Sequence, residues 1–323
     1  MFTHKLHFEK EFEVAELKSP NGISASIAVN IGNTLTSLKY GEREMFWFPF
    51  TLEEYAANDR MAGNPFMYPF ANRLSTDFIP LDHAEPPIID KNQSFIKLDG
   101  NDYIMHGFIL KSNLWKTKSI ESTDEYARHI AVFEWNESLA FYHYFPFHHT
   151  IWMIHTLTDK GMEIAVEIEN HTDFPIPLSY GFHPYFQINR SRAKNIFLKL
   201  PLKSEYITNE YLLADGRIKI PENLPINEAF HIEDKYFDAG YTDLIKDEKG
   251  CTNFDIDNDG LKFHLRFDEA YNTAVVYLPS DPAKHYMCIE PMILPTDGLN
   301  HALDIPLVVK GEMWRSGFGV KLV

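Results

Sequence analysis

The chain has 323 residues, 45% of them hydrophobic, so one large all-β domain or two ordinary domains could fold without disulfides or metals. The formal net charge of −16 at pH 7 argues against nucleic acid and anionic membranes as partners and favours a neutral ligand. Only two cysteines, Cys251 and Cys288, are present, which predicts a reducing, cytoplasmic location. The N-terminus has no hydrophobic signal segment, and no apolar run approaches the ~20 residues of a membrane helix.

The first part of the chain predicts strands, a short helix and a structured loop. Ile23 to Leu38 is rich in small and β-branched residues, which suits consecutive strands. The Thr-Leu-Glu-Glu sequence at residues 51–54 has the form of a capping box, so we expect a short helix from Leu52 to Asn58. Two prolines exclude a regular helix over residues 63–74, which we expect to be a loop that delivers Arg73.

The second half predicts antiparallel sheet. Met162 to Glu169 and Leu261 to Phe267 alternate apolar and charged residues, the pattern of strands with one wet face. Tyr144 to Leu157 and Asn272 to Leu278 are further predicted strands. Residues 209–241 contain two prolines and a Gly-Arg turn, and we expect them to be irregular and to cross the outside of the sheet. Since no flexible linker or repeat is evident, all 323 residues are predicted to form one domain of packed antiparallel sheets.

Three segments carry candidate proton-transfer groups. His183 precedes a proline within the aromatic sequence Ser-Tyr-Gly-Phe-His-Pro-Tyr-Phe, and His106 precedes a glycine and a phenylalanine. Glu290 lies between an isoleucine and a proline after an apolar run. Histidine exchanges protons near neutrality, and burial raises the pKa of a carboxyl group towards that of a useful general base.

Each candidate also has a structural interpretation. His183 and His106 could be core histidines satisfied by backbone hydrogen bonds, and Glu290 could be an ion-paired residue at a strand end. Arg73 could pair with a neighbouring acid, and Asp243 could cap a turn.

Metal sites are weakly supported. The histidines at positions 143, 148, 149 and 155 do not have the spacing of a helical zinc motif. His106, His183 and Glu290 together could bind iron or zinc. Residues 255–260 resemble part of a calcium loop but lack its closing glutamate, so a turn between strands is predicted there.

Taken together and in this order, the segments resemble the aldose 1-epimerase (galactose mutarotase) family. The matching segments are Asn64-Pro65 to Asn72-Arg73-Leu74, His106-Gly107-Phe108, Gly181-Phe182-His183-Pro184-Tyr185-Phe186, Asp243, Ile289-Glu290-Pro291, and Gly311-Glu312 followed by Trp314. The resemblance extends from about residue 25 to the end of the chain. It implies a large twisted antiparallel β-sandwich, the galactose mutarotase-like supersandwich, with few short helices and an open cleft for a monosaccharide.

The resemblance also implies an isomerase that interconverts the α and β anomers of a hexose by ring opening and reclosure, with no cofactor and no metal. His183 would be the general acid on the ring oxygen and Glu290 the general base for the C1 hydroxyl, with His106 beside them. The sugar-binding residues would be Arg73, Asn72, Asp243 and Tyr185. Activity would fall at low pH as Glu290 is protonated and at high pH as His183 loses its proton.

Other functions stay open at this point. The form of the histidine segment resembles a divergent bacterial branch that includes hexose-6-phosphate epimerases, and Arg60 or Lys111 could bind a phosphate. A non-catalytic carbohydrate-binding protein on the same fold is a second alternative. A glycoside hydrolase or lyase that uses Glu290 and Asp243 is a third. The protein is expected to be a monomer or a homodimer.

Overall fold

The computed structural model describes residues 1–82, 84–222, 224–301 and 304–323, and strands dominate it. The strands of the first half are β1 (Thr3–Glu9), β2 (Phe12–Lys18), β3 (Ile23–Ala28), β4 (Thr34–Tyr40), β5 (Arg43–Glu44), β6 (Phe66–Met67), β7 (Lys97–Leu98), β8 (Ile104–Met105), β9 (Lys116–Ser122), β10 (Ala127–Trp135), β11 (His149–Thr158), β12 (Gly161–Asn170) and β13 (Ile176–Pro177). Those of the second half are β14 (Gly181–Phe182), β15 (Tyr185–Gln187), β16 (Ile196–Lys199), β17 (Ser204–Thr208), β18 (Ala214–Lys219), β19 (Ala229–His231), β20 (Phe237–Thr242), β21 (Thr252–Asn258), β22 (Leu261–Phe267), β23 (Thr273–Leu278), β24 (Tyr286–Met292), β25 (Leu307–Val308) and β26 (Met313–Leu322). The helices are α1 (Leu52–Ala57), α2 (Gly298–His301) and 3₁₀ turns at Tyr142–Tyr144 and Arg190–Asn195.

Within the described residues, the strands form three larger antiparallel sheets and two short ribbons. The first sheet has the order β1-β2-β3-β4-β5, and the second has the order β19-β16-β21-β22-β26-β12-β11-β10-β9. The third has the order β18-β17-β20-β23-β24-β14-β6, with β15 also paired to β24. The prediction of an all-β, antiparallel fold with few short helices is therefore confirmed. No described helix has both the length and the apolar character needed to cross a membrane.

The second and third sheets pack face to face around an aromatic core. Phe182 of β14 contacts Phe318 of β26, with ring centroids 4.8 Å apart. Polar groups inside the core satisfy each other: Tyr180 Oη and Ser316 Oγ are 2.7 Å apart, and the Tyr68 hydroxyl lies 2.6 Å from a buried histidine, His149. Successive side chains of a strand point to opposite faces of a sheet. The side chains that fill the interface therefore come from one face of the third sheet, and its other face is available for a ligand.

The capping box is confirmed in detail. The Thr51 side chain accepts a hydrogen bond from Glu54 N at 3.2 Å, and the Glu54 carboxylate accepts one from Thr51 N at 2.9 Å. At the other end of α1, Lys111 Nζ donates to the carbonyl groups of Tyr55 and Asn58 at 2.5 and 2.7 Å. The short helix is thus satisfied at both ends by side chains.

Two predicted segments differ from the structure. Residues 209–241 contain β18, β19 and most of β20, and β20 lies inside the third sheet, so the prediction of an irregular outer crossing is wrong there. Position 223, within that segment, lies outside the described residues. The strand predicted from residue 144 begins at His149, because residues 142–144 form a 3₁₀ turn before Pro146. In the acidic segment 255–260, residues 255–258 belong to β21, and only residues 259 and 260 form the turn to β22, so the predicted turn is shorter than expected.

Candidate active site

The candidate site lies on the face of the third sheet that points away from the core. The strand register places Gly240, Val275 and Glu290 side by side across β20, β23 and β24. Asp238 is two residues from Gly240, so its side chain projects from the same face. Ile289, which points the other way, is fully buried in the core. Two carboxyl groups are thereby directed towards one cleft.

His183 and Glu290 form the centre of the site. His183 lies between β14 and β15, and its Nε2 is 3.3 Å from Glu290 Oε1, with 9% and 3% of the two side chains exposed. The Tyr185 ring stacks on the His183 ring, with centroids 4.5 Å apart and planes within 6°. A side chain at Gly181 would place its Cβ 2.6 Å from the Pro291 carbonyl oxygen, so glycine allows β14 to approach β24 this closely.

His106 is brought to the pair by a strained backbone segment. Its ring is 5.5 Å from the His183 ring at an interplanar angle of 80°. Its φ of 64° lies in the left-handed region, and its backbone N–H donates to the Asn72 carbonyl at 2.8 Å. Gly107 also has a positive φ, 70°, and a Cβ there would lie 2.0 Å from the Tyr68 carbonyl oxygen. Strained backbone of this kind is common at functional sites.

Arg73 is oriented by two partners. Asn72, at a φ of 58°, accepts hydrogen bonds on Oδ1 from Arg73 N and Nη1, both at 3.0 Å. Arg73 Nε donates to Asp99 Oδ2 at 2.6 Å, and Asp99 Oδ1 in turn accepts from the backbone of Asn101 and Tyr103. Pairing of Arg73 with an acidic residue was one of the alternatives in the sequence, but no sequence pattern identified Asp99 as that residue.

Asp238 lies at the cleft, whereas Asp243 lies beside Ser204. Asp243 is exposed at the end of β20, where its Oδ2 accepts a hydrogen bond from Ser204 Oγ at 2.5 Å. Asp238 instead lines the cleft together with Arg73. The alternation of Asp238 and Gly240 could have indicated a strand with a functional face, but the segment was not predicted as a strand.

The surroundings of the pair favour neutral side chains. Burial raises the pKa of Glu290 well above its ordinary value; the nearby Asp238 adds to this effect and Arg73 opposes it. Burial lowers the pKa of His183, and burial together with the nearby His183 lowers the pKa of His106 well below its ordinary value. In the favoured form of the pair, Glu290 is therefore protonated and His183 is uncharged.

A small apolar cluster next to Glu290 keeps water away from the pair. Met67, Ala71, Val275 and Met292 form a small buried cluster, separate from the main core, on the cleft side of the sheet. Val275 is the direct neighbour of Glu290 in the sheet. Removal of water from a carboxyl group disfavours its charged form.

The cleft is narrow and partly open, and Asp238 at its edge is exposed. The cavity between Arg73 and Asp238 has a volume of only about 20 Å³. The hairpin β17–β18 lines one side of this cavity, with Tyr206, Thr208 and Leu212 facing it. The hairpin therefore borders the route by which a ligand would approach Arg73 and Asp238.

Arg60 and Lys111, which the sequence suggested for a phosphate, have different surroundings. Lys111 is engaged with the end of α1, and burial lowers its pKa to about 8. Arg60 is exposed, and its guanidinium lies over the rings of Trp47 and Phe50 at 6.0 and 5.0 Å.

The histidines near residue 150 have separate environments. His149 and His155 are buried, whereas His143 and His148 are exposed. Across residues 1–82, 84–222, 224–301 and 304–323, no three or more His, Cys, Asp or Glu side chains are arranged to hold a metal ion. Both cysteines are free thiols.

The chain matches the family model described as aldose 1-epimerase over residues 13–320. No curated protein matches it significantly. Among solved structures, a galactose mutarotase-like protein from Clostridium acetobutylicum is 18% identical, with a TM-score of 0.84 and coverage of 100% of this chain and 98% of that one.

Two other structures share the fold. Galactose 1-epimerase from Lactobacillus acidophilus NCFM is 13% identical, with a TM-score of 0.75 and coverage of 100% of this chain and 98% of that one. The GalM/aldose epimerase homologue from C. elegans is 14% identical, with a TM-score of 0.73 and coverage of 99% of both chains. The galactose mutarotase-like fold inferred from the sequence is therefore confirmed.

The burial of Glu290 leads to a prediction about stability. Because its pKa is raised in the folded protein, the unfolded chain loses this proton at lower pH than the folded chain does, and stability declines as pH rises above about 4.5. Glu290→Gln should remove this penalty. At pH 8 we expect the variant to be more stable than wild type by up to about 1.4 kcal/mol for each unit by which folding raises the pKa of Glu290. At pH 4 the two proteins should have nearly equal stability.

Urea unfolding at both pH values would measure the difference. Glu169→Gln, on the half-exposed face of β12, is the matched control and should leave the pH dependence unchanged. A Glu290→Gln variant that is less stable than wild type at pH 8 would show that the carboxyl group is ionised and stabilised in the folded protein.

Proposed function

Because the chain belongs to the aldose 1-epimerase family, we propose that it interconverts the α and β anomers of a hexose by acid–base ring opening and reclosure. The observation that carries this proposal is the contact of 3.3 Å between His183 Nε2 and Glu290 Oε1 on a dry, ligand-facing surface. One hydroxyl must lose a proton while the ring oxygen gains one, so an acid and a base must lie beside the same sugar. This chemistry needs no cofactor.

The shared proton accounts for both roles. In the free protein, the favoured form has a protonated Glu290 and a neutral His183. Transfer of that proton across the 3.3 Å contact gives the reactive form, in which Glu290 can accept the C1 hydroxyl proton and His183 can donate to the ring oxygen. Ring opening then returns the pair to its neutral form. Rotation about the C1–C2 bond and the reverse transfers close the ring as the other anomer.

The neighbouring groups would bind the sugar. Arg73, oriented by Asn72, and Asp238 flank the cleft and can hold hydroxyl groups as donor and acceptor. His106 can act as a neutral hydrogen-bonding group because its pKa is lowered, and Tyr185 provides a wall behind His183. We assign to Asp238 the role that the sequence suggested for Asp243. Fixing the sugar between acid and base adds an orientation effect to the proton transfer.

A neutral sugar fits the site better than a phosphosugar. Lys111 is engaged with α1, and the carboxyl group of Asp238 would repel a dianion close by. The two free thiols agree with the cytoplasmic location that we propose. A monomer or homodimer remains our expectation.

The first test is mutational. Glu290→Gln and His183→Asn should each slow anomer exchange by roughly 10²–10⁴-fold, because each removes one proton-transfer group. Saturation-transfer NMR between the α and β forms of glucose and galactose measures the exchange, and calorimetry measures sugar binding. Glu169→Gln should retain wild-type rates. Wild-type exchange in both site variants would refute the assigned roles, and binding without exchange in wild type would identify a carbohydrate-binding protein.

The second test is the pH profile. The pKa of His183 is lowered and that of Glu290 is raised, so the pair keeps one proton over a wide range of pH. We expect kcat/KM to be level across neutrality, with an acid limb well below pH 6.5 where His183 gains a second proton. The alkaline limb should appear where Glu290 loses the last proton. This reverses the assignment of limbs expected from the sequence, and an acid limb near pH 6.5 would contradict it.

The third test concerns the hairpin over the cleft. In the part of the chain that the structure describes, β17 pairs with β20 only at Ser204–Thr242 and Glu205–Tyr241, and most of β18 is exposed. We expect amides of residues 204–219 to exchange hydrogen faster than those of β23 and β24, and to become protected when glucose saturates Glu290→Gln. Hydrogen-exchange mass spectrometry measures both, with the β21–β22 hairpin as the internal control. Unchanged protection would show that the sugar enters elsewhere.

A further inference from the structure

An aromatic wall extends from the catalytic pair. Tyr185, which stacks on His183, contacts the Tyr286 ring at 5.0 Å. Trp47 lies 4.5 Å from Tyr286 and 6.0 Å from Tyr185, measured between ring centroids. Trp47 packs on one side against the small hydrophobic cluster that contains Tyr55, but Trp47 and Tyr286 are both partly exposed. Part of the surface of these two rings is therefore accessible to a ligand.

The wall lies on the same face of the sheet as Glu290. Tyr286 and Glu290 are four residues apart on β24, so their side chains project to the same side about 13 Å apart. Tyr277, on the neighbouring strand, pairs with Cys288 and is also partly exposed. This distance exceeds the length of one pyranose ring. A sugar engaged by Glu290 would leave the surface at Tyr277 and Tyr286 unoccupied.

Beyond Tyr286 the wall opens onto a surface depression. Trp47, Gln187, Asn189 and His285 border this depression, which has a volume of about 450 Å³. Gln187 pairs with Tyr286 in the sheet, and its side chain is exposed. Partly exposed aromatic rings beside amide groups provide both the apolar contact and the hydrogen bonds that sugar rings require.

We propose that Trp47, Tyr277, Tyr286 and Gln187 form a second sugar subsite, and that the substrate is a neutral reducing disaccharide or longer oligosaccharide. Its reducing ring enters the cleft at Glu290, and the next ring lies against the Trp47–Tyr286 surface. This inference rests on the proposed epimerase function and specifies its substrate class. Arg60 lies over the Trp47 ring at 6.0 Å, so an anionic sugar is the alternative that the experiment must distinguish.

The experiment compares four sugars: glucose, maltose, cellobiose and glucose 6-phosphate. Saturation-transfer NMR gives kcat/KM for anomer exchange at each reducing end. We expect maltose or cellobiose to exceed glucose by about fivefold to tenfold, the size expected for one aromatic contact. Trp47→Ala should lower this ratio to about one, and Trp47→Phe should retain most of it. The exposed Gln187→Ala should lower the ratio without the folding risk of a tryptophan substitution.

Trp152→Ala is the matched control, because Trp152 is a partly exposed tryptophan on β11 of the other sheet. It should leave the disaccharide-to-glucose ratio unchanged. A disaccharide-to-glucose ratio near one in wild type, or a ratio that the Trp47 and Gln187 substitutions do not change, overturns the subsite. If glucose anomers still exchange in that case, the proposed function stands. Preference for glucose 6-phosphate that is lost in Arg60→Ala also overturns it in favour of an anion site. Absence of exchange with all four sugars overturns both proposals.

Discussion

A carboxyl group and an imidazole held 3.3 Å apart in a dry pocket are the constraint on which the rest of this structure depends. Each group loses hydration when it is buried, and burial therefore moves the pKa of Glu290 up and that of His183 down. When the two groups share a single proton, the pair is neutral, and its burial costs less free energy than the burial of a charge. In the proposed mechanism, the same proton is transferred to and from a bound sugar.

Rigid backbone around the pair maintains this geometry. Glu290 lies inside β24, between β23 on one side and the short strands β14 and β15 on the other, so backbone hydrogen bonds fix its position. His106 and Asn72 adopt left-handed conformations, and the hydrogen bond between their backbones joins the two loops that deliver His106 and Arg73. The aromatic core behind the sheet supports this arrangement, since close packing resists small displacements.

One face of a single sheet carries most of the proposed function. Asp238, Glu290, Tyr277 and Tyr286 alternate with core residues along β20, β23 and β24, so the pleat that fills the core also presents the ligand-facing groups. The proton-transfer groups lie above a small apolar cluster, and the aromatic wall lies further along the same strands. In the two proposals made above, substrate length and catalysis are linked through the strand geometry.

Local patterns in the sequence were sufficient for much of the fold. The capping box of α1 and the alternation in β12 and β22 depend on neighbouring residues, and the structure bears them out. The segment containing β20 was misread because Phe-Asp-Ala-Gly-Tyr-Thr includes a charge and a glycine, which local propensity assigns to a turn. Its strand character comes from pairing with β17 and β23, which are distant in the sequence.

The sequence by itself determined the antiparallel β class, the aldose 1-epimerase resemblance, and His183, His106, Glu290 and Arg73 as candidates, because residue type and order carry that information. Only the tertiary structure placed Asp238 rather than Asp243 at the cleft and paired Arg73 with Asp99. It also showed that the pKa values of His183 and His106 are lowered, because burial and charge around a side chain depend on residues distant in the chain. The aromatic wall was likewise invisible in the sequence, since Trp47, Tyr185 and Tyr286 are adjacent only after folding.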